Sequence, residues 1–175
     1  MLKIEVLNEV AFAPFGEVIE ARNSVKHFPI NSGNTERFHD LMNIELDELG
    51  HAIVSIFRGL PRDLPFEIKM MERHPLGSQA FIPLNGRPYL VAVAPAGEIL
   101  GIKDIRLFFA QGHQGVNYRR GVWHHPLLAL GETSDFLVID RAGSGVNCEE
   151  FFFEKSVWIH PLTIPDVVSS STSHV

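Results

Sequence analysis

Short apolar runs, separated by turn residues, recur along most of the chain. Four of them cover residues 51–57, 88–94, 105–110 and 135–140. Each has the length of a β-strand, is rich in Val, Ile or Phe, and is bounded by Gly, Pro or Asp. No long stretch places apolar residues at the i, i+3, i+4, i+7 spacing of an amphipathic helix. The pattern predicts an all-β fold, a sandwich or a barrel, with few short helices.

The segment 64–74 changes character along one of its faces. Side chains of an extended strand alternate between two faces, and the even positions are apolar up to Met70 and then become Glu72 and His74. Arg73 lies on the opposite face in this register. Because a buried carboxylate and imidazole are costly unless they bind something, this face indicates a site inside the barrel. The same pattern also fits a strand that ends at Met70 and leaves both side chains in water.

A second candidate segment contains the neighbouring histidines His124 and His125. Neighbouring side chains on a strand point to opposite faces, so at most one of them can share the interior with Glu72 and His74. An isolated histidine is more often a hydrogen-bonded structural residue than a ligand. Two histidines and a glutamate that converge from two segments favour a functional site.

Composition and charge exclude several classes of partner. The chain has 175 residues, and 15 Lys+Arg against 21 Asp+Glu give a net charge of −6. This acidic balance argues against a nucleic acid or an anionic membrane as the partner, and it leaves room for a small acidic substrate in a locally positive pocket. The length corresponds to one domain or two. We expect a single domain over residues 1–160 and a polar, Ser-rich, flexible tail over residues 161–175.

The cysteine content and the N-terminus indicate a cellular compartment. Cys148 is the one cysteine, which excludes a disulfide within the chain and favours a reducing environment. Nothing near it indicates a nucleophile, and we expect a structural core residue. The N-terminal sequence lacks the apolar core of a signal peptide, and no apolar stretch is long enough to span a membrane. We therefore expect a cytoplasmic protein.

The spacing of the candidate residues resembles the two cupin motifs. In the first, Glu72 and His74 are followed by Gln79; in the second, Gly121 precedes His124. Glu72 stands where the first cupin histidine usually lies, and Gln79 stands where the glutamate usually lies. The resemblance implies a mixed oxygen and nitrogen ligand set for a transition metal, made up of Glu72, His74, Gln79 and His124.

Four longer blocks, in order, resemble the ureidoglycolate lyase family of the cupin superfamily. They cover residues 30–41, 72–84, 115–127 and 135–150. The resemblance implies a cupin-like β-barrel (a jelly roll, or double-stranded β-helix) that is usually a homodimer. It further implies cleavage of (S)-ureidoglycolate to glyoxylate and urea in allantoin degradation, with nickel or another divalent metal as the cofactor.

The chemistry of this reaction can be compared with the residues. Ureidoglycolate is a carbinolamide with a carboxylate, and its C–N bond breaks when a base takes the hydroxyl proton and an acid protonates the urea nitrogen. Glu72, His74 and His124 are the catalytic candidates. A guanidinium pairs with a carboxylate through two parallel hydrogen bonds, and the family blocks offer Arg37 and Arg120 for that purpose.

Three more residues of these blocks are expected to contact the substrate. Asn31 lies in an Asn-Ser-Gly-Asn sequence that favours a turn, and it can serve both purposes. His39 is a polar candidate in the same block. Tyr118 is either a hydrogen-bonding partner of the substrate or an aromatic packed at the barrel mouth. The pair Asp140-Arg141 favours a local salt bridge or turn support over a catalytic role.

Other activities fit parts of the same pattern. An amidohydrolase acting on ureidoglycolate would release ammonia and carbon dioxide, but such enzymes typically use two bridged metals and more ligands than this chain offers. A cupin isomerase or epimerase would use the same glutamate and histidines. A non-enzymatic cupin that senses a small carboxylate would normally carry an output segment, for which this chain has little room.

Overall fold

The structure is a computed structural model that describes residues 2–160, apart from the side chain of Ser156. The tail predicted over residues 161–175 lies outside the described residues. Within residues 2–160, no helix is long and apolar enough to cross a membrane.

Fourteen strands and one α-helix of four residues form the described chain, together with two 3₁₀ turns. The helix is α1 (Glu9–Phe12), and the 3₁₀ turns cover Asn31–Gly33 and Ile102–Asp104. The strands are β1 (Ile4–Val6), β2 (Gly16–Ile19), β3 (His27–Ile30), β4 (Thr35–Phe38), β5 (Gly50–Gly59), β6 (Phe66–Arg73), β7 (Gln79–Pro83), β8 (Tyr89–Ala94), β9 (Arg106–Ala110), β10 (Gly115–Tyr118), β11 (Trp123–His124), β12 (Leu128–Ala129), β13 (Ser134–Gly143) and β14 (Glu149–Ile159). The four apolar runs fall in β5, β8, β9 and β13, as predicted.

Two large sheets face each other and enclose the core. The first has the strand order β1-β9-β8-β11-β6-β14, with β12 paired to β8, and the second has the order β2-β10-β7-β13-β5. Pairing is antiparallel apart from β1 with β9 in the described chain. The inner faces meet in one hydrophobic cluster that includes Phe81, Val93, Phe108 and Phe136, and Phe12 of α1 joins it. The all-β, cupin-like barrel expected from the sequence is confirmed.

A second cluster covers the outer face of the first sheet, and it changes the expected register of β6. Ile68 and Met71 are both fully buried in this outer cluster, although strict alternation would place them on opposite faces. The partner strand β14 shifts its register between Phe152 and Val157, alongside this part of β6. The prediction that Ile68 shares the inner face of Glu72 is therefore wrong.

The strands β3 and β4 form a two-stranded sheet of their own. They are joined by the turn expected from the Asn-Ser-Gly-Asn sequence, in which Asn31 and Ser32 have φ values of 52° and 57°. Asparagine tolerates this left-handed region better than most residues. Asn31 thus has the turn role that its sequence favours.

Candidate active site

The two candidate segments meet on the inner wall of the barrel. His124 of β11 pairs with Glu72 of β6 on one side and with Val93 of β8 on the other. Val93 belongs to the inner cluster, and directly paired residues project from the same face of a sheet. Glu72 and His124 therefore point into the barrel, and His74 follows immediately after the end of β6.

A backbone hydrogen bond ties the two segments together. The amide of Gly121 donates to the carbonyl of His74 at 2.9 Å, and Gly121 has a φ of 77°. Glycine adopts this conformation without steric cost. The glycine of the second motif thus fixes the chain beside His74, three residues before His124.

The side chains of Glu72, His74 and His124 converge. One ligand atom from each, a carboxylate oxygen or a ring nitrogen, lies within 4.8 Å of the other two. His124 Nε2 is 3.5 Å from Glu72 Oε1, and the two imidazole centroids are 5.1 Å apart. The structure therefore brings together the three residues predicted to be catalytic.

Backbone carbonyls fix the tautomers of both histidines. His74 Nδ1 lies 2.5 Å from the carbonyl oxygen of Asn147, and His124 Nδ1 lies 3.1 Å from that of Val122. A carbonyl oxygen only accepts hydrogen bonds, so each Nδ1 carries a proton, and in the neutral ring of His124 the Nε2 atom keeps its lone pair. Metal-ligating histidines commonly show this arrangement.

The Nε2 atoms are suited to a cation. His124 Nε2 is buried and has no hydrogen-bond partner among the described residues. His74 Nε2 lies 3.1 Å from Gln79 Oε1, within hydrogen-bond distance. A positive ion would satisfy these acceptors together, and the residues present fit the mixed ligand set of Glu72, His74, Gln79 and His124.

Burial and neighbouring charges set the protonation of the cluster. Burial lowers the pKa of His124, which favours the neutral ring. Burial raises the pKa of Glu72, but its interactions with His124 and His74 outweigh this, so the pKa is lowered overall. At neutral pH the site therefore holds a carboxylate and a neutral His124 imidazole, the forms that bind metal ions.

Tyr118 packs directly on the cluster. Its ring stacks on His124 with a centroid separation of 4.3 Å and an interplanar angle of 13°. Burial raises the pKa of its phenol, so the hydroxyl group keeps its proton. Tyr118 thus acts as a packing partner of His124 and keeps a protonated hydroxyl group.

A cavity of about 400 Å³ gives access to Glu72. Its walls include Phe57, Phe81 and Arg62. The guanidinium of Arg62 lies 5.5 Å from the ring centroid of Phe66 and has no ion-pair partner within residues 2–160. No periodicity or motif in the sequence pointed to Arg62, which the fold brings to the cavity from the connection between β5 and β6.

Comparisons with known protein families and with individual proteins agree on one family. The model of the family described as "Ureidoglycolate lyase" matches residues 1–160. The chain belongs to the ureidoglycolate lyase family.

Several members of the family are similar over nearly their whole length. A "Ureidoglycolate lyase" of Burkholderia mallei (strain NCTC 10229) is 58% identical over 159 residues, which cover 90% of this chain and 92% of the relative. A protein of the same name from Pseudomonas fluorescens (strain Pf0-1) is 53% identical over 155 residues, covering 88% and 92%. One from Azotobacter vinelandii (strain DJ / ATCC BAA-1303) is 53% identical over 154 residues, covering 87% and 92%.

Three of the residues expected to contact the substrate of a ureidoglycolate lyase lie on or next to the β3–β4 hairpin. Asn31 Nδ2 donates to Thr35 at 3.4 Å. Arg37 lies over the ring of Phe28, and His39 packs against the same ring. The contacts of these side chains described above are with residues of the hairpin itself.

Arg120 lies at the rim of the site. Its backbone amide donates to Glu45 at 2.6 Å, and its guanidinium donates to the carbonyl of Pro75. Arg73 lies on the opposite face of the first sheet, where it binds Glu149 and covers the ring of Trp123. The position of Arg73 agrees with the alternation of side chains along β6.

Two further expectations are corrected by the structure. Cys148 is exposed rather than in the core, and its Sγ lies 4.0 Å from Glu72 Oε2 at the edge of the site. Arg141 binds Asp47 through two hydrogen bonds of 2.8 and 3.0 Å, so its salt bridge is not with Asp140. Neighbouring residues of a strand face opposite sides, which explains why these two do not pair.

Proposed function

We propose that this protein is a ureidoglycolate lyase that cleaves (S)-ureidoglycolate to glyoxylate and urea in allantoin degradation. One observation carries the proposal: the carboxylate of Glu72 and a ring nitrogen from each of His74 and His124 converge beside a cavity of about 400 Å³. The names of the relatives, which match this chain over most of their length, support the same activity. The catalytic domain is proposed to span residues 1–160.

Each part of the reaction has a group in or near this site. Glu72 is ionised and faces the cavity, so it is the proposed base for the hydroxyl proton of the substrate. The proton that Glu72 takes is proposed to pass to the leaving urea nitrogen, and the hydroxyl of Tyr118, which keeps its own proton, is proposed to donate a hydrogen bond to the substrate. Arg62 lines the cavity and is available to pair with the substrate carboxylate. Arg120 at the rim, and Asn31, Arg37 and His39 from the hairpin, are proposed as outer contacts of the substrate.

We propose that the site binds a divalent metal ion, with nickel favoured by the family resemblance. Glu72, His74, Gln79 and His124 would hold it, since their donor atoms lie close together and the buried Nε2 of His124 lacks another partner. A bound divalent ion supplies a positive charge that polarises substrate oxygens and makes a hydroxyl group more acidic. The residues of the chain would hold the ion and orient the substrate beside it.

Removal of the metal should lower activity at least ~10-fold, because the site would lose the positive charge that polarises the substrate oxygens. The measurement is turnover after exhaustive chelation, with metal content determined on the same sample, followed by titration with nickel or another divalent ion. A His124→Ala variant is the control, because added ion should not restore its activity. Full turnover by protein shown to be free of metal would contradict the metal role and leave direct acid–base catalysis.

The activity itself is tested by product identity. Fresh (S)-ureidoglycolate is mixed with purified protein, and glyoxylate, urea and ammonia are quantified against a blank, because the substrate decays spontaneously. Equal amounts of glyoxylate and urea above the blank are expected. Ammonia in place of urea would identify an amidohydrolase, and no acceleration would favour another cupin activity or a binding protein.

We propose that the protein is a homodimer formed through the outer face of the second sheet. On this face Val54 and Ile56 of the edge strand β5 are 66% and 56% exposed. Half-buried apolar residues of neighbouring strands, Leu137 and Ile82, continue the patch. Contiguous exposed apolar surface of this kind marks protein–protein interfaces, and a second copy presents the same patch in a two-fold dimer.

Replacing Ile56 with lysine should convert the proposed dimer to a monomer. A charge in the middle of an apolar interface opposes association, so the mass from sedimentation or light scattering should fall from about twice to once the chain mass of 19.6 kDa. Ile99→Lys is the matched control, because Ile99 is 92% exposed and belongs to another part of the surface. A wild-type monomer, or an unchanged dimer in the Ile56 variant, would contradict this interface.

We also propose that the protein acts in the cytoplasm. Its single thiol, Cys148, is free and exposed beside the candidate site. A reducing compartment would keep such a thiol from oxidation.

A further inference from the structure

Asp140 lies on the inner wall of the barrel. Phe136 and Val138 of the same strand are fully buried in the inner cluster, so alternation places Asp140 on that face too. In the pairing of β13 with β7, Val138 is opposite Phe81 and Ile139 is opposite Ala80. The next step of this register places Asp140 opposite Gln79, which contacts His74. Asp140 is therefore a neighbour of the glutamate–histidine cluster.

The carboxylate of Asp140 has an unsatisfied oxygen. Its Oδ1 is buried and has no hydrogen-bond partner in residues 2–160. The adjacent Arg141 faces the other side of the strand and binds Asp47. A buried acceptor without a donor is costly in free energy. An ionised carboxylate can accept hydrogen bonds but cannot donate them. This oxygen on the inner wall therefore lacks a hydrogen-bond donor, which a bound ligand could supply.

The two ends of ureidoglycolate differ in their ability to donate hydrogen bonds to a carboxylate. One end is a carboxylate, which a second carboxylate repels, and the other is a ureido group with N–H donors on both nitrogens. Arg62 and the proposed metal site offer positive charge to the carboxylate end. A carboxylate at Asp140 suits the ureido end, because its oxygens match two neighbouring N–H groups.

We propose that Asp140 is a specificity-determining residue that binds the ureido group of the substrate through hydrogen bonds from its N–H groups to Oδ1. This inference rests on the proposed function and names the side chain that recognises the part of the substrate released as urea. Recognition of the ureido group by Asp140 would distinguish this site from one that accepts any small carboxylate.

The test compares two stable ligands by calorimetry, N-carbamoylglycine and glycolate. Both carry a carboxylate, and the first also carries a ureido group. Wild-type protein should bind N-carbamoylglycine more tightly than glycolate. Asp140→Asn should reduce this preference at least ~10-fold, through weaker binding of N-carbamoylglycine and little change for glycolate. The KM for ureidoglycolate should rise more than kcat falls.

The control is Asp135→Asn, on the outer face of the same strand, where Asp135 pairs with exposed Arg58. It should keep the wild-type preference, and circular dichroism and the melting temperature should show that each variant is folded. An unchanged preference in folded Asp140→Asn would overturn the proposal, as would equal losses for both ligands, which indicate a structural role. If Asp140→Asn does not fold, wild-type protein that binds N-carbamoylglycine no more tightly than glycolate overturns it.

Binding and turnover also separate the two proposals. Wild-type protein that releases no urea from ureidoglycolate would contradict the proposed function. A ureido preference that depends on Asp140 in such a protein would still support the binding role of this residue.

Discussion

His74→Ala and His124→Ala should each lower kcat/KM for ureidoglycolate by about 10²–10⁴-fold, the range expected for loss of a group that handles a proton or holds the reacting centre. Both rings have Nδ1 fixed by a backbone carbonyl. The Nε2 atom of His124 then faces Glu72, and that of His74 faces Gln79. Steady-state kinetics on purified variants is the measurement. Activity close to wild type in either variant would remove that histidine from the mechanism.

The controls separate catalysis from folding. His113→Ala removes an exposed histidine that pairs with Glu20, and it should keep wild-type activity. His124 is buried and stacked on Tyr118, so its replacement also creates a cavity and should lower the melting temperature. His74 is less buried and should cost less stability. If activity falls only in proportion to the loss of stability, it should fall in the His124 variant and stay unchanged in the His74 variant. That result would indicate that the histidines have a structural role.

Glu72→Gln should have the second large effect, a decrease in kcat/KM of about 10²–10⁴-fold. The amide keeps the shape of the side chain but removes the negative charge and the basic oxygen that faces His124. The affinity for a divalent ion should fall in the same variant, because a carboxylate is a better ligand than an amide for such ions. Both quantities are measurable on one preparation, by kinetics and by metal titration.

Glu149→Gln is the matched control for this substitution. Glu149 lies on β14 and binds Arg73 on the opposite face of the first sheet, so losing its charge should leave turnover and metal affinity near wild type. A Glu72→Gln variant that retains activity would exclude Glu72 as the base. Loss of activity in both variants would show that removing a negative charge from either position lowers turnover, and it would not support a specific role for Glu72.

The sequence predicted the architecture well because strand signals are local. Apolar runs of strand length, bounded by turn residues, gave the positions of β5, β8, β9 and β13. The detailed register of β6 was less predictable. Ile68 and Met71 share one cluster because the partner strand β14 shifts its register beside them, and such a shift depends on contacts distant in sequence.

The candidate site was only partly accessible to the same reasoning. Alternation and the motif spacing led to Glu72, His74 and His124. These residues lie on two short segments that are held together by the backbone hydrogen bond from Gly121 to His74. Asp140 carries a usable signal, since it follows Phe136 and Val138 at the period of a strand. Arg62 has no such signal, because its place beside Glu72 depends on how the connection between two sheets folds back.

The most direct test of the central claim follows ¹³C-labelled (S)-ureidoglycolate by NMR with wild-type protein and with the His124→Ala variant, beside a blank without protein. The account predicts that wild-type protein converts the label to urea and glyoxylate in equal amounts, and that the variant matches the blank. Labelled bicarbonate with ammonia, or equal rates in the two proteins, would contradict the assignment of a lyase reaction to this glutamate–histidine cluster.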